Sequence, residues 1–301
     1  MKKIVGVLLF FLAMAARAEA PTVVVSIMPL YHIAQAVMGK LGSPVLLVPQ
    51  GASEHAYALK PSQYEAIKNA DVVMWIGPGL ETYLVDALEV VPPKKQLILI
   101  NEPAMIRYEL RGAGGHDTDP HLWLDPLNAM TAAKQLSKRL SDIDPEHEKL
   151  YKRQTDAFIT EIAALNTQLA QKLGPVQSVP YIDYHDAFQY FEKRYGLRRL
   201  ESISHNPHVP LSATRWIEVG LLLKSEHIRC IFSEPENQTD LLRQLAADHG
   251  AKIGTLNPLG AQEPAGTAGY SALLTNIADS LVGCLEPNVG AKNPVENPFP
   301  L

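Results

Sequence analysis

The sequence predicts an α/β protein of two lobes, each a parallel sheet flanked by helices, joined by a single long backbone helix. Three observations predict it. Short runs such as Thr22–Ile27 and Val72–Ile76 are apolar almost throughout, as strands covered on both faces are, and helix-like runs separate them. The same alternation resumes beyond residue 175. Between the halves, the stretch from Glu146 to Leu173 holds neither glycine nor proline, so one helix of roughly 40 Å is expected there, long enough to serve as a strut. The length of 301 residues suits two domains of ~100–200 residues each.

Residues 1–20 read as an export signal. Lys2 and Lys3 form a positive start, Ile4 to Ala16 an apolar stretch, and Ala16-Arg17-Ala18 a cleavage signal. The apolar stretch falls short of the ~20 residues a bilayer span needs. No cysteine lies near the cleavage point, so no lipid anchor is expected. The mature chain is expected to be periplasmic and monomeric.

In the first lobe, residues 21–143, Thr22–Ile27 is a strand and Leu30–Met38 a helix. Pro44–Val48 is a second strand, and Pro49-Gln50-Gly51 opens a loop carrying Glu54-His55. Ser62 with Glu65 reads as a capping box for a helix to Asn69. Val72–Ile76 is a strand ended by Gly77-Pro78-Gly79, followed by a helix Leu80–Leu88 and a strand Gln96–Ile100. Asp125-Pro126 is a helix start, with a carboxylate cap and a proline at the first helical position, so His121 should sit on an extended segment before it.

The linking helix, 144–174, opens the same way at Asp144-Pro145 and ends at Gly174-Pro175. Phe158, Ile162, Leu165, Leu169 and Leu173 form its apolar stripe. In the second lobe, 175–301, the strands are Pro180–Asp183, Arg199–Ile203, Cys230–Ser233 and Ala251–Thr255. The helices are Phe188–Tyr195, Ser212–Glu226, Thr239–His249 and Tyr270–Cys284, and the tail from Glu286 should fray.

The net charge of −5 carries no basic footprint for nucleic acid. The only two cysteines are Cys230 and Cys284. In an oxidising compartment such a pair defaults to a disulfide, with two buried free thiols as the alternative.

Ten histidines are present. His55 and His185 follow strands of different lobes, at the carboxyl ends where ligands collect in parallel sheets, and His121 comes just before the strut. If the lobes face each other, the three meet in one cleft. Three neutral imidazoles suit Zn2+, and Asp125, Asp183 and Asp186 stand near enough in sequence to take the second ring N–H groups. His205 and His208 flank a turn. His32, His147, His227 and His249 lie in or beside helices and read as surface or packing residues. Trp123 reads as a core anchor.

Gly51-Ala-Ser-Glu-His55 with Lys60-Pro-Ser62, Asp71-Val-Val-Met-Trp-Ile-Gly-Pro78 and Asp119-Pro-His-Leu-Trp-Leu-Asp-Pro126 carry a resemblance. So do His185-Asp-Ala-Phe-Gln-Tyr-Phe191, Ser233-Glu-Pro235 and Leu256-Asn-Pro-Leu-Gly260. In this order, over essentially the whole mature chain, they resemble the periplasmic zinc-binding proteins of ABC uptake transporters, of the ZnuA type. The resemblance implies a carrier, not an enzyme, that binds zinc between two lobes and delivers it to a membrane permease. It implies His55, His121 and His185 as ligands, and Cys230–Cys284 as the disulfide of zinc members. Manganese-binding relatives place a carboxylate where this chain has His185. Where relatives carry an aspartate in the Leu-Asp-Pro-Leu-Gly motif, this chain has Asn257, so the fourth donor lies among Glu54, Asn257 and water. The His-rich loop of zinc members shrinks here to 112–119 with His116 alone. A secreted zinc hydrolase is the competing function, since three histidines and a water also form a catalytic site; manganese or iron uptake on the same scaffold is a third.

Overall fold

The computed structural model describes residues 20–111, 117–204, 211–260 and 266–286. The expected export signal, save Ala20, lies outside the described residues, as do His116, His205, His208 and the tail beyond Glu286. Each half contains one four-stranded sheet in which every pairing is parallel. In the first lobe β1 (Val23–Val25), β2 (Val45–Leu46), β3 (Val72–Trp75) and β4 (Gln96–Ile98) are ordered β2-β1-β3-β4. In the second, β5 (Tyr181–His185), β6 (Arg199–Ser204), β7 (Cys230–Ser233) and β8 (Lys252–Thr255) repeat that order as β6-β5-β7-β8. The strand order therefore reverses between β1 and β3 and between β5 and β7, where a crevice opens at the carboxyl ends.

Both crevices are bridged by a buried glutamate. In the first lobe Glu81 accepts hydrogen bonds from Ser26 Oγ and from the backbone N–H groups of Ile76 and Gly77. It thereby ties the end of β1 to the end of β3. Gly77 has φ +148°, and a Cβ there would come within 2.6 Å of Ile100, so the turn after β3 requires glycine.

The α-helices are α1 (Met28–Met38), α2 (Pro61–Asn69), α3 (Val85–Leu88), α4 (Pro126–Ile143), α5 (Glu148–Leu173), α6 (Gln189–Tyr195), α7 (Ala213–Ser225), α8 (Asp240–Asp248) and α9 (Thr267–Leu285). Helix α5 is the expected strut, 26 residues or about 39 Å long. Its stripe Phe158, Ile162, Leu165, Leu169 and Leu173 is buried, and the helix packs against α1, α4, α6 and α9. The strut is not the sole tie. Helix α9 returns from the second lobe to pack on α1, and one apolar cluster runs without interruption through both lobes. Trp123 anchors this junction: its Nε1–H donates to the Pro258 carbonyl at 2.7 Å, and its own carbonyl accepts from Tyr270 Oη at 2.7 Å. Cys230, at the head of β7, is disulfide-bonded to Cys284 in α9.

Three local expectations need correction. Helix α2 starts earlier than Ser62: Pro61 takes the first position and Gln63, not Glu65, accepts the backbone N–H of Lys60 at 2.8 Å. A proline at that position costs no hydrogen bond, which makes it a better start than a serine already inside the turn. Asp144 caps no helical N–H; a short 3₁₀ turn, Pro145–His147, precedes α5, and the carboxylate instead takes His147 Nδ1 and Tyr151 Oη. Before α4 the chain is not extended. His121 (φ −76°, ψ 34°) opens a 3₁₀ turn, Leu122–Leu124, which buries Leu122 and Trp123 and leaves Asp125 to cap α4 through the N–H of Leu127.

Candidate metal centre

His185 is the last residue of β5 and is 5 % exposed. Its Nδ1 lies 3.1 Å from Glu234 Oε1, across the crevice between β5 and β7. Asn237 Nδ2 donates to the other carboxylate oxygen of Glu234 at 3.0 Å and fixes its plane. Burial alone would pull the imidazole pKa down, but the hydrogen bond and charge of Glu234, together with the charges of Glu54 and Asp183, outweigh it, and the net shift is upward.

His121 is 2 % exposed. Asp119, two residues earlier, accepts both the His121 ring at Nδ1 (2.8 Å) and the His121 backbone N–H (3.0 Å) through one oxygen. The carboxylate is fully buried, which would raise its pKa, yet the bonds from His121 and Gln189 hold it below the ordinary aspartate value. With the His121 proton directed to Asp119, Nε2 presents its lone pair to the cleft.

His55 rides on the loop between β2 and α2. Gly51, at φ +79°, turns that loop, and the N–H of His55 bonds Ser53 Oγ at 3.2 Å. The His55 side chain is 24 % exposed. Beside it Glu54 is buried, its carboxyl raised by burial against the opposing charges of His121 and His185, with Oε1 3.9 Å from His55 Nε2.

The three histidines meet. Each offers one ring nitrogen within 4.8 Å of those of the other two, and the ring centroids are 5.2 to 5.3 Å apart. His121 Nε2 and His55 Nε2 are 3.3 Å apart. Among the described residues this is the only group of three or more such side chains that could hold a metal ion. The cleft lined by His55 and His185 has a volume of about 330 Å³ and is walled also by Glu54, Glu234, Asn237 and Asn257 among others. Asn257 Oδ1 accepts the N–H of Leu259 at 3.0 Å, which shapes the turn after β8.

The expected ring partners were Asp125, Asp183 and Asp186, and all three are engaged elsewhere. Asp125 holds Arg194, Asp183 holds Arg199 and Ser202, and Asp186 holds Arg111 and Arg199. Arginine offers a planar fork to a carboxylate that an imidazole cannot match. The partners found instead are Asp119 and Glu234. Asp119 was visible in the sequence as the opening of the Asp-Pro-His motif. Glu234 comes from a distant strand end, and only the Ser-Glu-Pro break after β7 signals it.

Residues 23–284 match the family model described as ZnuA, zinc-uptake complex component A, periplasmic. The high-affinity zinc uptake system protein ZnuA of Brucella abortus (strain 2308) is 33 % identical over 308 aligned residues, covering 89 % of this chain and 92 % of that protein. Among solved structures, the laminin-binding protein Lmb of Streptococcus agalactiae, described as a bifunctional protein with adhesin and metal-transporting activity, is 28 % identical with a TM-score of 0.76, over 89 % of this chain and all of the other. A zinc-bound deletion mutant of ZnuA is 26 % identical with a TM-score of 0.77, over 89 % and 99 % of the two chains. Three histidines on two matched lobes and a family match over nearly all of the described chain agree: the chain belongs to the ZnuA family of periplasmic zinc-uptake components.

Proposed function

We propose that the chain captures zinc in the periplasm and delivers it to the membrane permease of an ABC importer. In this reading the ion is cargo. His55, His121 and His185 hold it through their cleft-facing nitrogens, and the carboxylate of Glu54 is the fourth donor. The chain works as a monomer without a lipid anchor, after removal of the export signal 1–20. Residues 21–143 and 175–301 are its lobes, and 144–174 the link between them.

The observation that carries the reading is the 3.3 Å separation of His55 Nε2 and His121 Nε2. Two nitrogens bound at about 2.0–2.1 Å to one tetrahedral ion stand about 3.3 Å apart. Both partner carboxylates, Asp119 and Glu234, lie on the far ring nitrogens, which is how ligating histidines are usually oriented. Three imidazoles favour zinc over manganese, which prefers oxygen donors. Among the described residues no helix is long and apolar enough to cross a membrane.

The test is metal analysis of the protein purified from the periplasm, followed by zinc titration against a competing chelator. One tightly held zinc per chain is expected. At a thousandfold excess over the dissociation constant it should add about 4 kcal/mol to the stability of the fold. Replacing His121 or His185 by alanine should abolish most of that gain. A chain that carries manganese or iron instead, or turns over an ester, refutes the reading.

A further inference from the structure

Gln189 is the first residue of α6, four residues beyond His185, and is 2 % exposed. Both hydrogens of its amide are used: Nε2 donates to Asp119 Oδ2 at 2.9 Å and to the Glu109 carbonyl at 3.0 Å. The other oxygen of Asp119 holds His121. One side chain therefore links the segment that ends β5 at His185 to the carboxylate that sets the His121 ring.

We propose that Gln189 is a positioning residue that makes His121 and His185 a pair already aimed at the cleft before the ion arrives; the proposal rests on the zinc reading above. Asp119 is fully buried, so an oxygen left without its donor is costly and the carboxylate rotates to recover one. Because a single Asp119 oxygen serves both the His121 ring and its backbone N–H, that rotation releases the ring from its tautomer. Gln189 meets the need without charge. A lysine there would cost its own desolvation, and a carboxylate would repel Asp119.

Tyr190 separates this role from plain packing. It is the next residue, and its hydroxyl donates to the Asp119 backbone carbonyl at 2.8 Å without reaching the carboxylate. The experiment compares Gln189→Met, Tyr190→Phe and the wild-type chain in two measurements. The first is the ¹⁵N chemical shifts of the histidine rings in the zinc-free protein at about pH 8, above the ordinary imidazole value. The second is zinc affinity under chelator competition. Gln189→Met should spread the His121 proton over both nitrogens and weaken zinc binding about tenfold, the lower end of what loss of an outer partner costs. Tyr190→Phe should lower the melting temperature and leave both readouts as in wild type. Unchanged His121 shifts in Gln189→Met, or the same change in Tyr190→Phe, overturn the proposal. Should Gln189→Met not fold, Gln189→Asn, which keeps the amide but falls one methylene short, must show the same spread of the His121 proton. A wild-type protein that takes up no zinc refutes the zinc reading instead, and the nitrogen shifts still decide the role of Gln189.

Discussion

The Nδ1 of His185 and the carboxylate of Glu234 face each other at 3.1 Å across the crevice between β5 and β7. The bond joins two strand ends at the point where the sheet order reverses, and it turns Nε2 of His185 outward to the cleft. Glu234→Gln removes the charge while keeping an acceptor of the same shape. It should weaken zinc binding about 10- to 100-fold at about pH 8. Chelator-competition titrations giving equal affinities would show that His185 needs no charged partner.

The fourth donor is tested by Glu54→Gln beside Asn257→Ala. Glu54 is buried next to His55, whereas Asn257 already bonds the Leu259 N–H. The first change should cost at least about tenfold in zinc affinity, because it removes a negative charge beside a dication. The second should cost little affinity and some stability. The reverse pattern would move the ligand role to Asn257, and two unchanged affinities would leave the position to water.

Glu81 should make stability depend on pH. Burial raises its carboxyl from 4.5 to about 7, partly offset by the bonds from Ser26, Gly77 and Ile76. A carboxyl raised in the fold contributes fully below its unfolded value, and that contribution fades as pH rises through the folded value. The stability gap between wild type and Glu81→Gln should therefore shrink by about 3 kcal/mol between about pH 4.5 and 7, at 1.36 kcal/mol per unit. Denaturant unfolding across that range measures it. A gap that stays flat, or grows with pH, contradicts a protonated Glu81.

The disulfide should support stability without touching the site. Cys230 begins β7, at the end of the sheet away from the cleft, and the two cysteines are 54 residues apart. Closing a loop of that length contributes about 4 kcal/mol on the chain-entropy model. A Cys230→Ala, Cys284→Ala double variant should melt on the order of 10 °C lower with its zinc affinity intact. Lost affinity in the folded variant would mean that strand β7 and Glu234 depend on the bridge.

The sequence by itself determined the parallel sheets and the strut, because these rest on local rules. Apolar runs of strand length, breakers between them and an unbroken stripe from Phe158 to Leu173 need no knowledge of the partner surface. Strand ends and the Asp-Pro-His motif made His55, His121 and His185 candidates, the resemblance to zinc-binding proteins implied them as ligands, and the fold brings them together. Tertiary structure decided what lies behind the histidines. Asp125, Asp183 and Asp186 are close in sequence but are captured by Arg194, Arg199 and Arg111, whose forks bind carboxylates better than a ring does. That left Glu234, 49 residues from His185, as the partner found. Gln189, 70 residues from Asp119, came to the same place through α6 packing beneath the 3₁₀ turn that carries His121. Hydrogen-bond competition between distant segments is settled only when the core closes, and no spacing along the chain encodes it.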